Sequence, residues 1–247
     1  MKKAITLSAA TLALLVAGAS GASSVSAASV KAEQWTSAGT IGFTVNTTTP
    51  PDITNPEVPG GTGPGGTPGE LAIDYASDLA FGTHQISSKS ATYYADADTT
   101  AFNGTPVGAF VEMHDLRGLG TGNNTHLTVT QLKQFNNGKD DLAGAALSFS
   151  AGKAANADTG AAYTPTATTS FTLTPGTAQD VMSTDGTAGS FLTSYGKAAD
   201  YTGNETGGPI SLSVPSGAAL VGDFSATLQW DLTTCLLYTS DAADDTP

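Results

Sequence analysis

The sequence contains a single cysteine, Cys235, so no disulfide can form within the chain. It contains a single arginine, Arg117, and is poor in cations generally, with 9 Lys+Arg against 22 Asp+Glu and a formal charge of −13. Such a surface repels phosphate and anionic lipid, which argues against nucleic-acid binding. Aromatic residues make up only 7% of the chain, so each large ring carries a large share of any core. The catalytic signatures are missing too. There is no serine elbow, no P-loop and no H-E-x-x-H zinc motif. His84, His114 and His126 lack ligand spacing, and Asp96-Ala-Asp98 and Asp140-Asp141 do not continue as calcium loops. These carboxylates read as solvated loop residues, and neither a cofactor nor a metal is expected.

What is present is short alternating apolar runs punctuated by 29 glycines and 12 prolines. The most regular run is Phe224-Ser-Ala-Thr-Leu-Gln-Trp-Asp-Leu232, in which Phe224, Ala226, Leu228, Trp230 and Leu232 share one side of a period-two pattern. It predicts a core strand around which the rest of the chain is fitted. Leu71–Tyr75, Val107–Met113, Leu127–Val129, Leu147–Phe149, Phe171–Leu173 and Ile210–Val214 are further runs, and Thr40–Val45 is another before them. About eight short strands with recurring turn signals, and no amphipathic helix, indicate an all-β antiparallel sandwich-like or barrel-like domain with long loops. Residues 176–208 read as mostly loop.

Organisation along the chain follows from composition. Lys2 and Lys3, the apolar stretch Ile5–Ala19 and the small-residue triplet Val25-Ser-Ala27 make residues 1–27 a cleavable export signal. The apolar stretch is short and interrupted by Thr6, Ser8 and Thr11, which disfavours a membrane anchor. Cleavage removes two lysines and no acids, taking the formal charge from −13 to about −15 and leaving no segment for membrane insertion. Residues 28–48 form an N-terminal strand segment, and residues 49–69, rich in Pro and Gly, read as a linker unable to bury a core. The G-x-G-x-x-G at Gly61, Gly63 and Gly66 is not a nucleotide site, because no strand precedes it and no helix follows. A compact domain occupies 70–234. At Cys235 the alternation stops, and Cys235-Leu-Leu-Tyr-Thr-Ser-Asp-Ala-Ala-Asp looks like translated adapter read-through. Residues 235–247 are therefore read as a non-native tail, with a frayed acidic terminus as the alternative.

Asp115-Leu-Arg117-Gly118 concentrates the chain's one guanidinium at a strand end beside a carboxylate. A planar fork in that position suits a bidentate structural clamp, or else recognition of a ligand carboxylate. With Leu71-Ala-Ile-Asp74, Leu79-Ala-Phe81-Gly82 and Val111-Glu-Met-His-Asp115 before it, and Ala226-Thr-Leu-Gln-Trp230-Asp-Leu232 after it, the chain resembles the WxL-domain surface proteins of low-GC Gram-positive bacteria. The resemblance covers about residues 29–234. It implies a secreted, wall-associated β domain, without enzymatic activity, that attaches non-covalently to peptidoglycan. It also implies partners among other surface proteins, including membrane-anchored WxL-interacting proteins. The wall-binding motif or its structural support would then comprise Trp230, Leu232, Leu127, Asp115, Arg117 and Gly118. One departure stands out: the family usually carries two Trp-x-Leu motifs, and the place of the first reads Thr125-His126-Leu127 here. Two other functions remain open at this stage. One is a structural or adhesin subunit binding other surface proteins, and the other a wall-polymer hydrolase, which would require converging carboxylates in a cleft. Trp230 itself is either a core ring or an exposed platform for sugar rings.

Overall fold

A computed structural model describes residues 38–234 apart from Thr62 and Thr159. The export signal (1–27), most of the 28–48 segment and the 235–247 tail lie outside the described residues. The chain divides into two units at Gly42/Phe43. In the first unit, residues 38–42 are exposed and form no regular element, and residues 43–49, which open the second, behave likewise. The strand expected over Thr40–Val45 is therefore not formed. Ile41 and Phe43 are 80% and 87% exposed, and an alternating run without a ladder partner has little to hold it extended.

The second unit contains twelve strands among its described residues, with no helix beyond a single 3₁₀ turn at Ala198–Asp200. In chain order they are β1 (Leu71–Ala76), β2 (Ala91–Tyr94), β3 (Phe110–Asp115), β4 (Thr125–Gln131), β5 (Ala146–Phe149), β6 (Gly152–Asn156), β7 (Thr166–Ala167), β8 (Phe171–Thr172), β9 (Ala178–Thr184), β10 (Gly189–Tyr195), β11 (Ile210–Val214) and β12 (Leu228–Thr234). They form three antiparallel four-stranded sheets, ordered β1-β3-β10-β6, β2-β11-β5-β8 and β12-β4-β9-β7, none closed into a barrel. The first and third sheets approach each other at both edges, β1 beside β12 and β6 beside β7. All three line one core, with Val111 and Met113 from β3, Leu127 and Val129 from β4, Leu147 and Phe149 from β5, and Ile210 and Leu212 from β11. The sandwich-like all-β class is as expected from the sequence.

Two expectations about strands are corrected. The Trp230 run is not the central strand. β12 begins only at Leu228, ends its sheet, and contains no fully buried residue. The alternation is nevertheless kept in exposure up to Trp230: Phe224, Ala226, Leu228 and Trp230 are half-buried while Asp223, Ser225, Thr227 and Gln229 face solvent. Residues 176–208 are not mostly loop either, because they supply β9 and β10. β10 is buried on both faces from Ser190 to Thr193, so its apolar pair Phe191-Leu192 is adjacent rather than alternating. That is the pattern a central strand produces and a period-two search misses.

β3 is the strand about which the domain is built, since all six of its residues are buried. Its inward face joins the shared core. Its outward face, Phe110, Glu112 and His114, is covered by the Pro/Gly-rich segment that the sequence reading treats as a linker. Ile53 lies in a second apolar cluster with Ala101, Phe102, Val107 and Phe110. The segment doubles back on itself through an Asp52–Gly65 bridge, with Ile53 N–H donating to the Pro64 carbonyl at 3.4 Å and Gly66 N–H to the Pro51 carbonyl at 3.2 Å. The glycines permit close approach here. A Cβ on Gly66 would stand 2.5 Å from the Pro51 carbonyl oxygen and 2.6 Å from Asp74 Oδ1. Glu57 fixes the far end by accepting from the backbone N–H of Gly108 (2.6 Å) and of Ala198 (2.9 Å).

The polar residues of β3 are matched to partners. Thr54 N–H donates to Glu112 Oε2 at 3.1 Å. A bulge in β1 between Ile73 and Tyr75 leaves Asp74 unpaired in the ladder and aimed at His114, whose Nδ1 lies 2.8 Å from Asp74 Oδ2. The other ring nitrogen, Nε2–H, donates to the Gly69 carbonyl at 3.0 Å. Asp98 is also a buried hub rather than a solvated loop carboxylate. It accepts from Tyr75 Oη (2.7 Å), Ser77 Oγ (2.5 Å) and the Thr100 N–H (2.7 Å). Burial pushes the Asp98 carboxyl up, but those hydrogen bonds outweigh it and hold it below the usual range.

Burial pushes the Glu112 carboxyl up to about 8, opposed by the Thr54 N–H and reinforced by the nearby Asp74. The native state thus holds a proton that the unfolded chain releases at the ordinary value of 4.5. Its contribution to stability is complete below that value and is lost as pH rises through about 8. Urea midpoints measured across this window should fall with pH. Glu112→Gln should flatten the decline at its alkaline end, and an unchanged slope in the variant would contradict this assignment.

Candidate functional site

Two arrangements bring together the residues singled out by the sequence. The first is a clamp at the β3–β4 turn. Arg117 Nε donates to Asp115 Oδ1 at 2.9 Å and Nη2 to Asp115 Oδ2 at 2.7 Å, the bidentate geometry that lysine cannot reproduce. Nη2 also donates to Thr125 Oγ1 at 2.7 Å, and Thr125 Oγ1 donates back to Asp115 Oδ2 at 3.2 Å. The Asp115 hydrogen bonds, ahead of the opposing effect of burial, hold the guanidinium even more firmly protonated than usual. Gly118 follows with φ +63°, a conformation that favours glycine. This closed ring of three side chains ties the end of β3 to the start of β4 and leaves the fork committed to internal partners.

The second arrangement is the β4–β12 ladder, where Leu232 pairs with Leu127, Trp230 with Val129 and Thr234 with Thr125. Leu127 is fully buried, Leu232 half-buried. Trp230 lies four ladder positions from the clamp, about 13 Å along the strand. The clamp and the tryptophan are therefore separate features, and the six residues do not converge on one site. Thr125, at the place of the missing first tryptophan, has no exposed surface at all.

Trp230 is neither a core ring nor a free platform. It is half-buried and forms part of the wall of a groove of about 890 Å³. The groove runs between the segment 76–86, which follows β1, and the segment 219–228, which leads into β12. Its floor is apolar, from Leu147, Leu212 and Val214. The first wall is stiffened by His84, which stacks on Tyr93 (centroids 3.9 Å apart, 21° between planes) and whose Nε2 sits 2.6 Å from the Phe81 carbonyl oxygen. Phe81 in turn meets Phe135 edge-on at 6.4 Å. Sequence reasoning missed this site. Leu79-Ala-Phe81-Gly82 reads as a closing turn, and Phe81 and Tyr93 on one side are more than a hundred positions along the chain from Phe224 and Trp230 on the other. The available signal was the half-buried phase shared by Phe224 and Trp230.

The model of the WxL domain, described as surface cell wall-binding, matches residues 30–235. The chain belongs to the WxL family. The matched span takes in the 51–66 segment as well as all twelve strands, and places this domain at the cell surface in association with the wall. No curated protein and no solved structure matches the chain.

Two predictions follow from the clamp of this WxL domain. Arg117→Lys forfeits the second hydrogen bond of the fork and should cost about 1–3 kcal/mol in denaturant unfolding. Wild-type stability combined with lost wall binding would instead assign Arg117 to ligand. Thr125→Trp, which restores the usual motif pair, should destabilise by overpacking and by unpairing the clamp, about 1–3 kcal/mol or more. A melting temperature equal to wild type would show that position 125 has room which its burial denies.

Proposed function

We propose that this WxL domain attaches non-covalently to peptidoglycan and performs no chemistry on it. The observation that supports this most is the position of Trp230, the intact motif tryptophan, in the wall of a groove large enough for a ligand. Sites for small ligands span about 300–1,000 Å³, and this one has about 890 Å³. A hydrolase acting on wall polymer has less support. The carboxyl groups raised by burial, Glu112 and Asp74, lie at the outer face of β3, away from the groove lining. The reading as a structural or adhesin subunit, contacting membrane-anchored WxL-interacting proteins or other surface proteins, has one observation in its favour. β12 ends its sheet among the described residues, with Gln229, Thr233 and Thr234 exposed. Where β1 does not already stand beside it, such an edge can accept another strand.

Retention of the mature protein on purified sacculi tests the wall reading. Because Trp230 is only half-buried, Trp230→Ala should cost about 1–3 kcal/mol, less than the 3–5 of a ring fully enclosed in a core. The variant should therefore stay folded at room temperature and lose sacculus retention, whereas Trp230→Phe keeps much of both. A folded Trp230→Ala protein that still binds sacculi would refute the role of this side chain.

A further inference from the structure

We infer that the groove beside Trp230 takes the uncharged glycan chain of the wall, a β-linked polymer of acetylated amino sugars, in preference to its anionic polymers or its peptide stems. This rests on the wall-binding reading and adds the ligand and its place. Charge decides the first half. No lysine or arginine lines the groove among the described residues, while Asp78 and Asp223 stand exposed on its two walls. Set in a chain of formal charge −13, that rim opposes a polyphosphate and also the free carboxylates of a peptide stem. A glycan whose lactyl groups are tied up as amides carries no such charge.

The lining decides the second half. Acetylated amino sugars present flat C–H faces and methyl groups bordered by hydroxyls and amides. The groove offers the complement: Phe81, Tyr93, Phe224 and Trp230 on its sides, over a floor of buried aliphatic side chains. Thr83, Gln85, Ser225 and Thr227 provide neutral donors and acceptors at the mouth. Aromatic faces pack against C–H groups and neutral side chains meet hydroxyls, which is how ligand sites divide binding from orientation. Ile86 and Leu220, 56% and 46% exposed on opposite walls, place apolar surface at the rim that the fold alone does not require.

The test uses the mature full-length protein carrying Trp35→Phe, which leaves Trp230 as the sole tryptophan. Titration with the tetramer of N-acetylglucosamine should change the Trp230 emission saturably. Free stem tetrapeptide and polyglycerol phosphate, at the same concentrations, should not. The double substitution Ile86→Glu and Leu220→Glu, at two exposed rim positions, should weaken the tetrasaccharide at least tenfold, release the protein from sacculi and leave its melting temperature unchanged. Sacculus retention with no response to the tetrasaccharide, or with a response to the stem peptide instead, would overturn the glycan assignment while the wall reading stands. A rim variant that binds as tightly as wild type would overturn the groove as the site. A saturable tetrasaccharide response without sacculus retention would support the groove assignment and refute the wall reading instead.

Discussion

Burial of β3 on both faces is the constraint on which the rest of the structure depends. A strand in a two-layer sandwich needs cover on one side only, and its other side can stay in water. β3 places Glu112 and His114 on that other side and still buries them completely. Polar groups taken from water without partners cost about 1–3 kcal/mol each, and ionised ones far more. The surrounding chain therefore has to bring partners to this strand. The β1 bulge turns Asp74 toward His114, the Gly69 carbonyl takes the second ring nitrogen, Thr54 supplies an N–H to Glu112, and Arg117 closes on Asp115. Thr54 and Gly69 belong to the segment before β1, Asp74 to the β1 bulge and Arg117 to the β3–β4 turn, so these stretches are held in place by this one strand.

The same arrangement separates the polar support of β3 from the groove. The clamp and the 51–66 cover act on the ends and the outer face of β3, whereas the groove opens between the segments that leave β1 and enter β12. This domain in this way keeps its polar network buried and still leaves a half-buried tryptophan in the groove wall. Two thin walls lie over a floor that belongs to the main core: Leu147, Leu212 and Val214 serve both. The groove surface is thus an outer side of the sandwich core, and its shape is fixed by core packing.

The sequence made the sheet class legible because β4 and β11 are half-buried strands that alternate as written, Leu127-Thr-Val129 and Ile210-Ser-Leu212. Arg117 was legible as a clamp for a related reason, since a lone guanidinium beside an aspartate has few other uses. Illegibility had three sources. β10, buried on both sides, shows no period of two. The 51–66 segment has the composition of a linker, yet Gly63 and Gly66 are there so that backbone and side chains can come within contact distance, and Ile53 is one apolar residue among many turn residues. The groove joins residues from distant parts of the chain, and no local pattern records that meeting. The emphasis on Trp230 as the centre of the fold is misplaced because regular alternation marks a strand with one wet face, which the edge strand β12 shares with interior strands such as β4.

The most direct test of this account is equilibrium urea unfolding of the protein from residue 28 onward beside a form beginning at Thr67, which lacks the cover over β3. Removing the cover exposes Phe110 and returns Glu112 to water. The account predicts a markedly lower midpoint and loss of the decline in stability between pH 4.5 and about 8. A truncated protein with the same midpoint and the same pH dependence would show that β3 does not need its outer cover, and would contradict the account.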